Sequence, residues 1–356
     1  MAARLGLVTD PLFLLHAKPG HPERPERLQA VAAELERAQL ADLFAPVPAR
    51  AATRQEVLRA HAPAHLDNVV RLAAGAPLMF DEDTYGNEHT VPVALLAAGG
   101  AVDLALRVLC GELDRGLALV RPPGHHATPT ATMGFCVFNN VAVAARAAQA
   151  AVAAAGGPPL RVAIVDFDVH HGNGTQDIFA DDPSVLFISL HQYPLWPGTG
   201  WLSETGRGAG LGATLNVPLP PGAGDDALRA AWTRVVLPSL RRFAPDLLLV
   251  SGGWDAHWRD PLAQLQYTLG GQAWLGRELV GAAEELCGGR LVAVLEGGYD
   301  TEVLAHGVAN LARALAGRDE VVDPLGDGGA GQVDATALID AVEAGLAAPP
   351  RPADEP

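Results

Sequence analysis

The amino-acid sequence predicts an open, three-layer α/β/α sandwich on a mostly parallel sheet, and three observations carry that expectation. Short, almost wholly apolar runs occur at 116–120, 161–166, 185–190, 246–251 and 291–295. Longer helical stretches separate them, at 25–38, 91–110, 141–155, 225–242, 270–286 and 302–315, the second and third rich in alanine. Unusual polar clusters then follow directly after the apolar runs, at 121–126, 166–173, 191 onward, 252–257 and 296–300.

Strands that are apolar on both faces belong to parallel sheets covered on each side by crossover helices. In such sheets ligands sit beyond the carboxyl ends of the strands, so the five polar clusters should converge on one rim. The chain has 356 residues, 49% of them hydrophobic, enough for one large core. One catalytic domain is expected over 1–320, followed by a C-terminal extension, 321–356. The extension ends in an Ala/Pro tail from Leu346 to Pro356 that should fray.

A formal net charge of −16 argues against nucleic acid and anionic membranes as partners. Cys110, Cys136 and Cys287 show no regular spacing, which fits a reducing compartment and three buried apolar side chains. No secretory-type leader opens the sequence, and no uninterrupted apolar run of membrane-spanning length is expected, so a cytoplasmic setting is anticipated. Nothing in the sequence identifies a self-association surface, and a homo-oligomer is left open.

In Asp166-Phe-Asp168-Val-His170, side chains alternate along an extended segment, placing Asp166, Asp168 and His170 on one side. A carboxylate and an imidazole two residues apart can share a metal ion. A third ligand is available from Asp255 in Ser-Gly-Gly-Trp-Asp, after another apolar run, which leaves one position open for water and substrate. A single Asp-x-His is as readily a set of turn caps with a local hydrogen bond.

Adjacent His125 and His126 stand in Arg-Pro-Pro-Gly-His-His, a loop stiffened by two prolines. Amide hydrolysis at a metal needs a base for the water proton and an acid for the departing amine, and this pair offers both. Tyr299, in Leu-Glu-Gly-Gly-Tyr-Asp, is a phenol placed to donate to a developing oxyanion, or a packed loop tyrosine.

Taken in order, RPPGHHA, GFCVFNNVA, DFDVHHGNGTQ, SGGWDAHWRDPLAQLQ and LEGGYD resemble the histone deacetylase family, and HAKPGHPERPERL resembles its class II members. The resemblance spans His16 to the helix after Tyr299. It implies an arginase/deacetylase-like fold, zinc ligation by Asp168, His170 and Asp255, His126 as general base, His125 as electrostatic partner or acid, and Tyr299 polarising the acyl oxygen. Asp166 would orient His125 and Asn173 would orient His126.

The same resemblance implies a structural potassium ion held by Asp166, Ser189 and the backbone carbonyls of Asp168, His170 and Leu190. A second, peripheral one would lie near Phe179, Asp182 and Val185. Gly134, Phe135, Trp196 and Leu262 match the walls and mouth of an acyl-lysine tunnel, where Trp196 replaces the more usual phenylalanine or tyrosine. Arg24 matches a family arginine beside an internal channel proposed for acetate exit. The reading is a zinc-dependent amidohydrolase acting on N-acetyl-lysine or a similar acetylated amine. An acetylpolyamine amidohydrolase is the first alternative, for which acidic Asp81, Glu82, Asp83 and Glu88 could approach the rim. A two-manganese arginase-like hydrolase and a non-catalytic acyl-amine binding protein are further ones.

Overall fold

The computed structural model describes residues 3–75, 77–329 and 332–347. Among these, ten strands form in chain order: β1 (Leu5–Val8), β2 (Phe44–Pro46), β3 (Leu78–Met79), β4 (Tyr85–Gly86), β5 (Arg115–Ala118), β6 (Val162–Asp166), β7 (Val185–Gln192), β8 (Thr214–Leu219), β9 (Leu247–Gly252) and β10 (Leu291–Leu295). Eight of them make one sheet, ordered β2-β1-β5-β10-β9-β6-β7-β8, with every neighbouring pair parallel. β3 and β4 form a separate antiparallel hairpin.

The central strands β6, β7, β9 and β10 are buried along their whole length, which explains their unbroken Val, Leu and Ile content. The three sheet strands not anticipated are β1, β2 and β8. β2 and β8 are the sheet edges, and each carries a proline, Pro46 and Pro218, a residue that central strands exclude.

The helices are α1 (Glu26–Arg37), α2 (Arg54–Val57), α3 (Pro63–Ala73), α4 (Thr90–Leu109), α5 (Asn140–Ala154), α6 (Asn173–Phe179), α7 (Asp225–Ala231), α8 (Leu237–Phe243), α9 (Leu269–Cys287), α10 (Thr301–Leu315) and α11 (Thr336–Ala347). The expected helix over 225–242 is interrupted by a π-helical turn, Trp232–Val236. Pro238 has no N–H to return to the preceding turn, so the ladder widens there.

α4 is long and apolar enough to cross a membrane, against the expectation of no such segment. Its length is spent in the core, packed on β1, β5, β10 and α5, with residues such as Ala97, Ala101, Leu104 and Val108 fully buried. Cys110 caps the end of this helix and is exposed, unlike buried Cys136 and Cys287, because the last turn has left the core. α11, within the C-terminal extension, buries Ile339 and Val342 and packs on β8 and α7. Most of the expected fraying tail, 348–356, lies outside the described residues.

Register levels the strand ends. Asp166, the last residue of β6, pairs with Ser189 on β7 and Ser251 on β9, and Leu295 at the end of β10 pairs with Gly252. The segments leaving β6, β9 and β10 therefore start side by side.

His16 and His61 are two of the histidines buried as neutral bases within this frame. His16 Nδ1 meets Thr90 Oγ1 at 2.9 Å, and burial lowers its pKa to about 4. His61 Nδ1 donates to the Thr128 carbonyl and its Nε2 accepts from Asn139 N–H, and burial lowers its pKa to about 3. An unfolded chain protonates these rings near pH 6.5, so it binds more protons than the fold and stability falls as pH drops below that value. Other buried groups titrate in the same window, and a His61→Gln variant isolates one of them. The wild-type advantage over His61→Gln in unfolding free energy is expected to shrink by about 2 kcal/mol between pH 7 and pH 5. Urea titrations at both pH values measure this, and a pH-independent difference would mean that His61 is charged in the fold.

Candidate metal centre

Asp168 and His170 follow β6, Asp255 follows β9, and the level strand ends bring the three together. His170 Nδ1 lies 3.2 Å from Asp168 Oδ1 and 3.2 Å from Asp255 Oδ2. Ligands bound at about 2.0–2.1 Å around a tetrahedral ion stand about 3.3 Å apart, so this spacing suits a shared metal. Each carboxylate is aimed by backbone amides. Asp168 accepts from His170 N–H (3.0 Å) and Gly297 N–H (2.7 Å), and Asp255 accepts from Val169 N–H (3.0 Å). A β-carbon at Gly297 would stand 2.2 Å from Asp255 Oδ2 and 2.5 Å from Asp168 Oδ2, so only glycine lets the β10 loop close on both carboxylates.

The charge around this centre is unbalanced. Asp166, Asp168, Asp255, Asp260 and Glu296 are all buried, and the nearby arginines Arg27 and Arg121 are both taken up by Glu23. Burial together with neighbouring carboxylates raises Asp166 to about 6 and Asp260 to about 7. A cation among these acids offsets a surplus that side chains alone leave standing.

The rings of His125 and His126 lie in contact, tilted by 39° with centroids 3.8 Å apart. His125 Nδ1 meets Asp166 Oδ2 at 2.9 Å, and His126 Nδ1 meets the Asn173 amide oxygen at 2.8 Å. Their environments separate them. Burial opposes charge on His125, but Asp166 and Asp168 outweigh it and raise its pKa to about 10. Burial and the neighbouring His125 hold His126 well below its usual value. The surroundings thus bias His125 toward its charged form and His126 toward its neutral one, and a His126 Nδ1–H donating to the Asn173 amide oxygen leaves the Nε2 lone pair available.

A cavity of about 210 Å³ opens onto these groups, lined by Asp83, His126, Gly134, Phe135, His170, Leu195, Trp196, Leu262 and Tyr299. All four positions expected as tunnel walls lie on it. Trp196 is 42% exposed at the mouth, and its indole stands edge-on to His126, with centroids 4.7 Å apart. Phe135 meets Tyr299 edge-to-face at 5.8 Å. Burial holds the Tyr299 phenol well above its usual pKa, so it is a protonated donor, and Asp260 fixes its loop by accepting from Tyr299 N–H at 2.7 Å. Of the acidic cluster, Asp83 alone faces the cavity. Asp81 turns inward to the amides of Asp83 and Thr84, while Glu82 and Glu88 are exposed.

Ser189 and Leu190 lie below this floor, on β7, with Ser189 beside Asp166 in register and its Oγ 2.9 Å from His191 Nδ1. Asp182 is ion-paired with Arg146, and Phe179 and Val185 are buried nearby.

The arginine expectation is corrected by the structure. Arg24 is exposed, whereas Arg27, one helical turn on, is buried. Arg27 donates to the carbonyls of Glu296 (2.6 Å) and Gly298 (2.7 Å), and its guanidinium carbon lies 5.1 Å from the Tyr299 ring centroid. Both arginines occupy the same His-Pro-Glu-Arg-Pro-Glu-Arg-Leu run, and the α1 start at Glu26 turns only the second one inward. Glu23, which holds Arg27 and Arg121, carries no local signal of that role, since one partner stands a helical turn on and the other 98 residues away.

Residues 21–315 match the histone deacetylase domain model. The chain is 42% identical over 323 residues to chloroplastic histone deacetylase 14 of Arabidopsis thaliana, covering 86% of this chain and 75% of that one. It is 39% identical over 313 residues to a histone deacetylase-like amidohydrolase of Pseudomonas aeruginosa, covering 87% and 81% respectively. The crystal structure of the HDA15 HD domain superposes with a TM-score of 0.82 at 40% identity, covering 88% of this chain and 91% of that domain. Sequence match, fold and relatives agree that the chain belongs to the histone deacetylase family.

Proposed function

We propose that this protein is a zinc-dependent deacetylase that removes the acetyl group from N-acetyl-lysine. The observation that carries the reading is the placement of His170 Nδ1 at 3.2 Å from both Asp168 and Asp255, on a cavity that also presents His126 and Tyr299. Two carboxylates and an imidazole suit a four-coordinate zinc with one open position. Zinc held there would supply Lewis-acid polarisation of an acyl carbonyl and a water molecule.

The chain's own groups account for the proton movements. His126, neutral and with Nε2 free, accepts the proton of an attacking water. Tyr299 O–H donates to the oxygen that gains charge as the carbonyl carbon becomes tetrahedral. His125, held protonated by Asp166, keeps positive charge beside the reacting centre and backs proton delivery to the departing amine. Phe135 and Trp196 wall a slot suited to a four-carbon aliphatic stem. A potassium ion on Asp166, Ser189 and neighbouring carbonyls remains part of this proposal, and the surplus of buried carboxylates supports it.

A second convergent set, His125, Cys136 and Glu296, is spent on other contacts, which favours one metal over an arginase-like pair. Burial keeps the Cys136 thiol protonated, and the Glu296 carboxylate accepts from Gly124 N–H and His125 N–H.

One observation favours the acetylpolyamine reading. Asp83 lines the mouth opposite a partly exposed indole, an arrangement that would attract the free ammonium of an acetylated diamine.

With an acetyl-lysine peptide as substrate, Tyr299→Phe is expected to lower kcat by about 10²-fold at unchanged zinc content. Asp255→Ala should lose both zinc, read by elemental analysis, and turnover. A Tyr299→Phe enzyme with wild-type kcat would remove the phenol from the mechanism. Asp83→Asn separates the substrates. If a diamine is the natural substrate, kcat/KM for N-acetylputrescine should fall about tenfold or more while the peptide is little affected. Equal small effects on both leave acetyl-lysine as the better substrate.

A further inference from the structure

We infer that Glu296 is a positioning residue, a strut that sets the His125–His126 loop against the Tyr299 loop; the inference rests on the deacetylase reading for its catalytic consequence. The Glu296 backbone is clamped on both sides. Its N–H donates to the Gly252 carbonyl at 2.8 Å, continuing the sheet, and its carbonyl accepts from Arg27 at 2.6 Å. From that fixed base the fully buried side chain crosses to the other loop, where one carboxylate oxygen accepts from Gly124 N–H (2.6 Å) and His125 N–H (3.2 Å). The second oxygen accepts from Ser251 Oγ at 3.2 Å, which fixes the rotation of the carboxylate.

The loop is gripped from its opposite side as well. The His125 carbonyl accepts from Thr175 N–H at 3.1 Å, so the residue is held between the strut and α6. The far end of the construction is equally fixed, since Arg27 also holds the Gly298 carbonyl beside Tyr299. Arg121, at the head of the histidine loop, is tied to Arg27 through Glu23, closing a ring of contacts around both loops. Without the carboxylate, two buried amides lose their acceptor, and the loop carrying the base gains freedom to drift. Placement of reacting groups is sensitive to such drift at the level of about 1 Å.

A strut acts through reach rather than charge, and this distinguishes it from an electrostatic role. Glu296→Gln keeps the length and an acceptor oxygen while losing the charge. Glu296→Asp keeps the charge but falls one methylene short. Glu296→Ala loses both. For an acetyl-lysine peptide, Asp and Ala are expected to lower kcat by on the order of 10²-fold with KM nearly unchanged, while Gln retains most of kcat. Hydrogen exchange of the peptide spanning 121–127, followed by mass spectrometry, gives a readout independent of turnover. It should accelerate in Asp and Ala and stay close to wild type in Gln, at equal zinc content. Wild-type exchange in Asp, or a Gln variant more impaired than Asp, would overturn the strut. If Ala does not fold, the Gln and Asp pair still decides. A wild-type enzyme that turns over no acetyl amide would sink the deacetylase reading while leaving the exchange comparison as the test of the strut.

Discussion

The site depends on holding two carboxylates side by side out of water. Asp168 and Asp255 repel each other, and burial makes that repulsion costly. The fold meets the cost first with geometry. Parallel strands end level, so the segments after β6 and β9 place both acids at one point, and the β10 loop supplies a peptide N–H to Asp168 from a glycine with no side chain in the way. Amide dipoles and His170 then offset part of the negative charge, and a cation held between the carboxylates would offset more. The convergence of two carboxylates and an imidazole on the floor thus follows from the sheet topology as directly as from the residues themselves.

The same anionic surroundings assign different tasks to two chemically identical neighbours. His125 faces Asp166 directly and Asp168 at 3.8 Å, which favours its charged form; His126 faces a neutral amide and the His125 ring, and burial favours its neutral form. A carboxylate beside one ring and an amide beside the other, together with burial, bias two adjacent imidazoles in opposite directions. Asn173 is well suited to its side because it accepts from Nδ1 without the charge that would drive protonation of the whole ring.

The parts legible in the sequence were those with a period or a motif. The five central strands showed themselves as continuous apolar runs, and the six long helices as alanine-rich or amphipathic stretches between them. β2 and β8 were hidden because each is a sheet edge that carries a proline, and β2 spans only three residues. Local motifs placed Asp168, His170, Asp255, the histidine pair and Tyr299 near one rim, the family resemblance added the four wall positions, and the structure brings these residues together around one cavity and its floor. The supporting residues escaped because their roles are long-range. Arg27 and Glu296 lie 269 residues apart, and nothing local distinguishes Arg27 from exposed Arg24 until helix α1 has a defined start. Glu296 stood inside a recognised motif, but its partners, the amides of Gly124 and His125, are backbone atoms and leave no trace in residue identity.

The floor and the mouth of the cavity are built to different tolerances. At the floor, each carboxylate is fixed by backbone donors, and each loop is tied to another through buried arginine, glutamate or aspartate. At the mouth, Trp196 is exposed and Asp83 has only Thr84 as a side-chain donor, at 3.3 Å. Loose elements can vary without disturbing the chemistry beneath, and substrate choice within a conserved reaction is expected to reside in them. Trp196 is the exception to that division. Its ring stands edge-on to both His126 and His170, so a change in the size of this wall reaches both imidazoles directly. The wall of the slot and the two imidazoles behind it thus form one packed group, in which the width of the cavity is coupled to how firmly those rings are held.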